Sequence, residues 1–173
     1  TENQLQVPLE ARYQAKNLLA TRQQLAIWGW QDPRTTMFLD FWAQLIPDAK
    51  YVFVYSSPWQ VLDALFRQGD VIFQRDPEFA VTQWCNYNQA ILNFQQRYPE
   101  KSLLLDITEV ICNSALIVDL IKQKWDLKLR APKLLEQKLF QTNQDNDRQT
   151  IITKFFPQAA NLYTQLQQQA DLA

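Results

Sequence analysis

The sequence contains no histidine and only two glycines, Gly29 and Gly69. Without histidine the commonest general base and metal ligand is missing. No Ser-His-Asp or Cys-His mechanism can be assembled from this chain alone. Two glycines that lie far apart exclude both GxGxxG and GxxxxGK[ST], so the chain supplies no glycine-rich phosphate cradle of its own. Cysteine is also scarce. Cys85 and Cys112 match no metal spacing and are expected as buried or neutral thiols in a reducing, cytoplasmic compartment. Neither charge dominates: 17 basic against 18 acidic residues leave a net charge of −1. No basic stripe tracks a phosphate backbone, so nucleic acid is not an expected partner. Long apolar runs are absent too. Ala115–Val118 is broken at once by Asp119, and no stretch approaches the ~20 apolar residues that cross a bilayer, so no membrane partner is expected. The first residue is Thr and the only methionine is Met37, which reads as processing or as an excerpt of a longer chain. The polar segment Thr1–Asn17 is not a signal peptide.

What is present suits a packed core. Of 173 residues 47% are hydrophobic, with six Trp, six Tyr and ten Phe, enough for one ordinary domain. Apart from the termini, only Thr142–Thr150 reads as disordered. Leu9 to Ala26 is Ala-, Leu- and Gln-rich and predicts a helix. Ala26–Trp30 predicts a short buried strand. Asp32 and Pro33 then supply an N-cap and a first helical residue. Phe38, Phe41, Trp42 and Leu45 give the following helix one apolar face, and Pro47 closes it. Lys50–Tyr55 predicts a central parallel strand. Ser57, Pro58 and Gln60 form a capping box for a helix with Val61, Leu62, Leu65 and Phe66 on its buried side and Gly69 at its stop. Asp76-Pro77 opens a third such helix, striped by Trp84, Tyr87, Ile91, Phe94 and Tyr98. Ser102–Ile107 predicts the next strand. Ile117, Leu120, Ile121 and Trp125 mark another helix, and helical patterns follow at Ala131–Phe140 and Pro157–Leu172.

Alternating strands and helices imply an α/β fold, a parallel sheet flanked by helices. Ligands of such sheets sit beyond the carboxyl ends of the strands. Here that edge carries Gln31, Asp32, Arg34, Ser56 and Ser57, and the two helix N-termini favour an anion.

Two stretches resemble a known family. Trp28-Gly29-Trp30-Gln31-Asp32-Pro33-Arg34-Thr35-Thr36 is similar to the WGWKDPR segment of bacterial, often cyanobacterial, sulfotransferases. Lys50–Trp59 through Arg67-Gln68-Gly69-Asp70 resembles their strand–turn–helix VYRSPW…DSLYRRGD. The Trp84…Tyr87-Asn88 helix, the Leu103–Ile107 strand and Pro157–Tyr163 fit the same order, so the resemblance spans roughly Leu25 to Ala170. It implies a P-loop-NTPase-like sulfotransferase fold as one domain: a leading helix over 1–25, an α/β core over 26–127 and a helical tail over 128–173. It also implies sulfuryl transfer from 3′-phosphoadenosine 5′-phosphosulfate (PAPS) to a hydroxyl or amine, such as a sugar's. In that family a loop after the first strand wraps the phosphosulfate. An Arg and a Ser near the second turn hold the 3′-phosphate.

The chain departs from each element. The first strand and its loop are absent, a gap that a missing N-terminal segment or a protein partner would fill. Ser56 stands at the Arg position, Ala64 at the Ser position and Gln31 at the Lys position, so the cofactor site is degenerate. Losing the Arg and the Ser hydroxyl costs on the order of 3 kcal/mol, roughly a hundredfold in affinity. Arg34 and Arg67 are the nearby cations left to compensate. The sequence therefore carries two functional readings, an impaired or inactive sulfotransferase and a non-catalytic binding or assembly module.

Several residues keep two readings. Arg34 is either a substrate or anion contact or a structural partner of Asp32 or Asp40. Ser56 and Ser57 form an anion nest, or Ser57 is simply a cap. Asp70, Asp106 and Glu109 are caps or surface residues, or else catalytic groups. Trp28, Trp30, Trp84 and Tyr87 are core, or they stack on a ligand. Gln165–Gln169 reads as a solvated helix face.

Overall fold

The computed structural model describes residues 7–22, 24–69, 71–130 and 146–172. Among them it is mostly helical, with a small two-stranded parallel sheet flanked by helices. The chain separates into two compact units, Thr1–Ala49 and Lys50–Ala173.

In the first unit, α1 (Leu9–Arg22) carries Glu10 in its first turn and Arg22 in its last, which complements the helix dipole. Ala15 is its one buried residue. The strand predicted at Ala26–Trp30 does not form. The described residues of this unit hold no strand for it to pair with, and an unpaired strand would leave its backbone groups without partners. The aromatics find each other instead. Trp28 stacks on Trp30 at 5.7 Å and Trp30 tilts against Trp42 at 4.9 Å. The Trp30 indole N–H donates to Thr35 Oγ1 at 3.0 Å. Asp32 caps the next segment as expected, but that segment is first a 3-10 helix, Pro33–Phe38, and only then α2, Leu39–Leu45. Phe38 has φ −130° and ψ 26°, which interrupts regular helical geometry between them.

In the second unit β1 (Tyr51–Tyr55) pairs in parallel with β2 (Ser102–Asp106), from Tyr51 opposite Ser102 to Tyr55 opposite Asp106. Between them run α3 (Pro58–Arg67), α4 (Val71–Arg75) and α5 (Pro77–Arg97). After β2 come α6 (Ile107–Cys112), α7 (Ser114–Trp125), α8 (Asn146–Phe155) and α9 (Pro157–Gln169). The capping signals at Ser57 and Asp76 hold: Ser57 and Gln60 form the full capping box, and Asp76 accepts from the Phe79 N–H at 2.9 Å. Gly69 ends the α3 turn at φ +74°, the left-handed region that suits glycine.

The core lies where α5 and α9 cover one face of the sheet. Phe94, fully buried, meets Tyr51 at 4.7 Å and Phe53 at 5.9 Å. Leu92, Leu104, Ala159 and Leu166 are also fully buried.

Three expectations change here. The strand at Lys50–Tyr55 is an edge strand rather than a central one, and Val52 and Val54 are each 44% exposed. The inner strand is β2, all five residues of which are buried. Its second flank is the chain's end. The helix predicted to reach Leu172 stops at Gln169, Ala170 turns extended, and Asp171 and Leu172 lie along β2. There the Asp171 N–H donates to the Leu104 carbonyl at 2.8 Å and the Asp106 N–H to the Leu172 carbonyl at 3.0 Å. Finally, α8 begins at Asn146, inside the stretch that reads as disordered. Its Ile152 is 3% exposed, an apolar anchor that the polar composition around it hides. The helical pattern at Ala131–Phe140 and the position of Asp70 lie outside the described residues.

Candidate functional site

Beyond the carboxyl ends of the two strands, the second unit gathers polar groups from β1, α3, β2, α5 and α9. β1 runs straight into Ser56 and Ser57. The Ser57 hydroxyl accepts from the Gln60 N–H at 3.3 Å, and Gln60 Oε1 accepts from the Ser57 N–H at 3.3 Å. The Ser56 hydroxyl donates to the same Gln60 oxygen at 2.7 Å. The Trp84 indole N–H donates to the Ser56 carbonyl at 3.1 Å, which fixes the turn against α5.

The first turn of α3 is thereby largely satisfied from within. Pro58 has no N–H, the Ser57 amide goes to Gln60 Oε1, and the Gln60 amide goes to the Ser57 hydroxyl, which leaves the Trp59 amide. A helix start that offers several free amides is a ready anion site. This one has committed two of its three amides inward.

The residues matched to the cofactor-binding positions fare no better. Ala64 is exposed and has no donor. Arg67 pairs with Asp63 one helical turn back, and Asp63 also takes Arg148 of α8 at 3.0 Å. Arg67 lies ten positions beyond Ser57, roughly 15 Å along the helix axis at 1.5 Å per residue, well away from the strand end.

In the other unit, Asp32 accepts from the Arg34 backbone N–H at 2.9 Å and from its guanidinium at 2.7 Å. The arginine holds the Asp32 carboxyl below its usual range. Arg34 is thus the structural partner of its own cap, and Gln31 is exposed beside it. Gln31, Asp32 and Arg34 belong to one compact unit and Ser56 and Ser57 to the other.

Of what the strand ends assemble, the sequence named Asp106 as a candidate but not Tyr55 or Tyr163. Tyr55 and Asp106 are cross-strand partners. Tyr163 of α9 stands edge-on to Tyr55 at 6.1 Å and to Trp59 at 5.0 Å. Tyr55 is 2% exposed, and its hydroxyl has no hydrogen-bond partner among the described residues. Burial first, and then the negative charge of Asp106, push the Tyr55 phenol far up. The same two causes, in the same order, push Tyr163 up to about 12. Asp106 is 9% exposed and caps α6, accepting from the Thr108 N–H at 2.7 Å. The cluster is therefore one carboxylate beside two phenols that stay neutral. It can accept from a cation, and it can both accept from and donate to an uncharged hydroxyl. Toward an anion it presents like charge in a setting of reduced dielectric. The one signal in the sequence was that both strands end in a polar residue, Tyr55 and Asp106. Tyr163 joins them only through the tertiary fold.

The other candidates resolve locally. Glu109 accepts from Asn113 Nδ2 at 2.5 Å, a surface contact within one helix turn. Trp84 is buried and Tyr87 half-buried. Cys85 is half-buried, with its thiol pushed up by burial, and Cys112 is exposed. No group of three metal-ligating side chains occurs among the described residues, and no helix among them is long and apolar enough to cross a membrane. No protein-family model, curated protein or solved structure matches the chain.

The residues at these positions do not fit PAPS. Ser56 is bonded internally, Ala64 offers no donor, Arg67 and, in the other unit, Arg34 each pair with a carboxylate, and the buried charge at the strand ends is that of Asp106.

Proposed function

We propose that this chain is a sulfotransferase-like α/β module that does not hold PAPS and serves as a non-catalytic binding or assembly unit. The observation that carries the reading is the buried Asp106 carboxylate beside the neutral phenols of Tyr55 and Tyr163, where a polyanionic cofactor needs cations. The inward-bonded Ser56–Gln60 turn supports it, since those hydroxyls and amides would have to be released before they could bind phosphate.

A thermal-shift titration tests this reading. A ligand that binds the folded state at a hundred times its dissociation constant stabilises it by about 2.7 kcal/mol, a shift of several degrees. The expected melting curve is unchanged by millimolar 3′-phosphoadenosine 5′-phosphate. A concentration-dependent rise would count against the proposal.

One observation favours a second reading, an impaired sulfotransferase completed by a strand from another segment or a protein partner. Among the described residues the outer edge of β1 has no strand beside it, and Tyr51–Tyr55 carries no charged residue to protect that edge. Recovery of nucleotide binding on adding an upstream strand-and-loop segment would move this reading ahead.

A further inference from the structure

We propose that the N-terminal unit has a binding site of its own, an open cleft between α1 and α2 that takes a free anionic amphiphile of the medium-chain carboxylate class. The cleft has a volume of about 480 Å³, within the roughly 300–1,000 Å³ of small-molecule sites. Phe41 and Leu45 of α2 form its apolar floor, and Leu9 and Tyr13 of α1 stand along its wall. Leu9 is 85% exposed and Tyr13 64% exposed, so a large apolar area faces solvent in one place.

The rim supplies the second half of the chemistry. Arg12 and Lys16 lie one helical turn apart on α1, both beside the cleft. Like charges at this spacing repel each other. Among the described residues no carboxylate pairs with either of them. The nearest acid on the helix, Glu10, accepts instead from Gln14 at 3.3 Å. The Arg12 guanidinium is held over the Phe41 ring at 5.7 Å, and its Nε donates to the Val7 carbonyl at 3.1 Å. The charge is thus positioned over the apolar floor, and the bond to Val7 uses Nε and not the terminal N–H groups. A planar fork of this kind matches a carboxylate, and an alkyl chain attached to the carboxylate would lie on Phe41 and Leu45. A bare inorganic anion would leave the floor uncovered, and a neutral hydrocarbon would leave the two cations unpaired.

The test is calorimetric titration of the full chain with decanoate, below its micellar concentration, with decanol as the uncharged comparator. The expected result is saturable one-to-one binding of decanoate and at least tenfold weaker binding of decanol. R12Q/K16Q should lose about tenfold or more of the decanoate affinity, since a charge-assisted contact of this kind is typically worth that much. Both side chains are on the surface, and circular dichroism should show the helix content unchanged. L9Q, at a position too exposed to affect folding, should weaken binding severalfold without changing its salt dependence. Absence of saturable heat, equal affinity for decanol, or an R12Q/K16Q variant that binds as tightly as the parent would overturn the proposal. So would sedimentation of the chain with phosphatidylglycerol vesicles in the absence of any saturable decanoate binding, which would make the same face a membrane contact.

Discussion

Asp171 sits outside any helix or strand, yet its removal should unfold the second unit at markedly lower denaturant. Its Oδ2 accepts the N–H of Leu104, a fully buried residue of the inner strand, at 2.8 Å. Its Oδ1 meets Lys124 Nζ at 3.1 Å, and Lys124 donates in turn to the Ser102 carbonyl at 2.6 Å. In Asp171→Ala the Leu104 amide loses a charged acceptor, which costs about 1.5–3 kcal/mol. The ion pair, with both side chains about a quarter exposed, adds at most about 1 kcal/mol after solvent screening. Together these give about 2–4 kcal/mol. With a urea slope of about 2 kcal/mol/M for a unit of this size, the midpoint followed by tryptophan fluorescence should fall by about 1–2 M. Asp171→Asn keeps an acceptor for the amide and should recover part of the loss. A double-mutant cycle with Lys124→Ala should show coupling of at least about 0.5 kcal/mol. An Asp171→Ala midpoint within about 0.2 M of the parent's would refute the view that the chain's end acts as the second flank of β2.

Ser57→Ala should cost about 1 kcal/mol, within the usual 0.5–2 range for an N-cap, and urea unfolding would show it. Alkaline titration should weaken the fold. Tyr163 is raised from 10.0 to about 12 and Tyr55 is raised further still, so the unfolded chain releases these protons first. Their contribution is intact below pH 10 and is lost as pH climbs through the folded-state values. Tyr55→Phe and Tyr163→Phe should each flatten the fall in midpoint seen above pH 10. Hydrogen exchange should separate the two units. Among the described residues the first unit buries only Ala15 and Leu39 as apolar core, so its helices should exchange far faster than β2 and α5. Equal protection of α1 and α5 would contradict that ranking.

Which features were legible in the sequence depended on how local their physics is. Ser57-Pro58-Gln60 and Asp76-Pro77 were readable because a cap and its amide lie within three residues of each other. Tyr51–Tyr55 and the long stripe of α5 were readable from composition and period. Ala26–Trp30 misled because β-favouring residues make a strand only where a partner strand exists. The order of the sheet was not legible either. The flank of β2 contributed by Asp171 and Leu172 depends on a contact between residues far apart in the chain, and no local pattern marks it. The site was legible in part. Ser56, Ser57 and Arg34 could be named from the strand edge they flank and Arg67 from its nearness in sequence, and the Ser57–Gln60 cap and the Arg34–Asp32 pair were among the readings, while the Ser56–Gln60 bond and the link from Asp63 to Arg148 appear only in the fold. Tyr163 joins Tyr55 and Asp106 only when α9 folds back onto the sheet.

Calorimetric titration with 3′-phosphoadenosine 5′-phosphate, at low and at moderate salt, bears most directly on the proposed loss of cofactor binding. The expected result is no saturable heat up to about 1 mM ligand, a binding free energy no better than about −4 kcal/mol. One-site binding at micromolar strength that weakens with salt would contradict the proposal, because it would mean that the Ser56–Gln60 turn opens to phosphate despite Asp106.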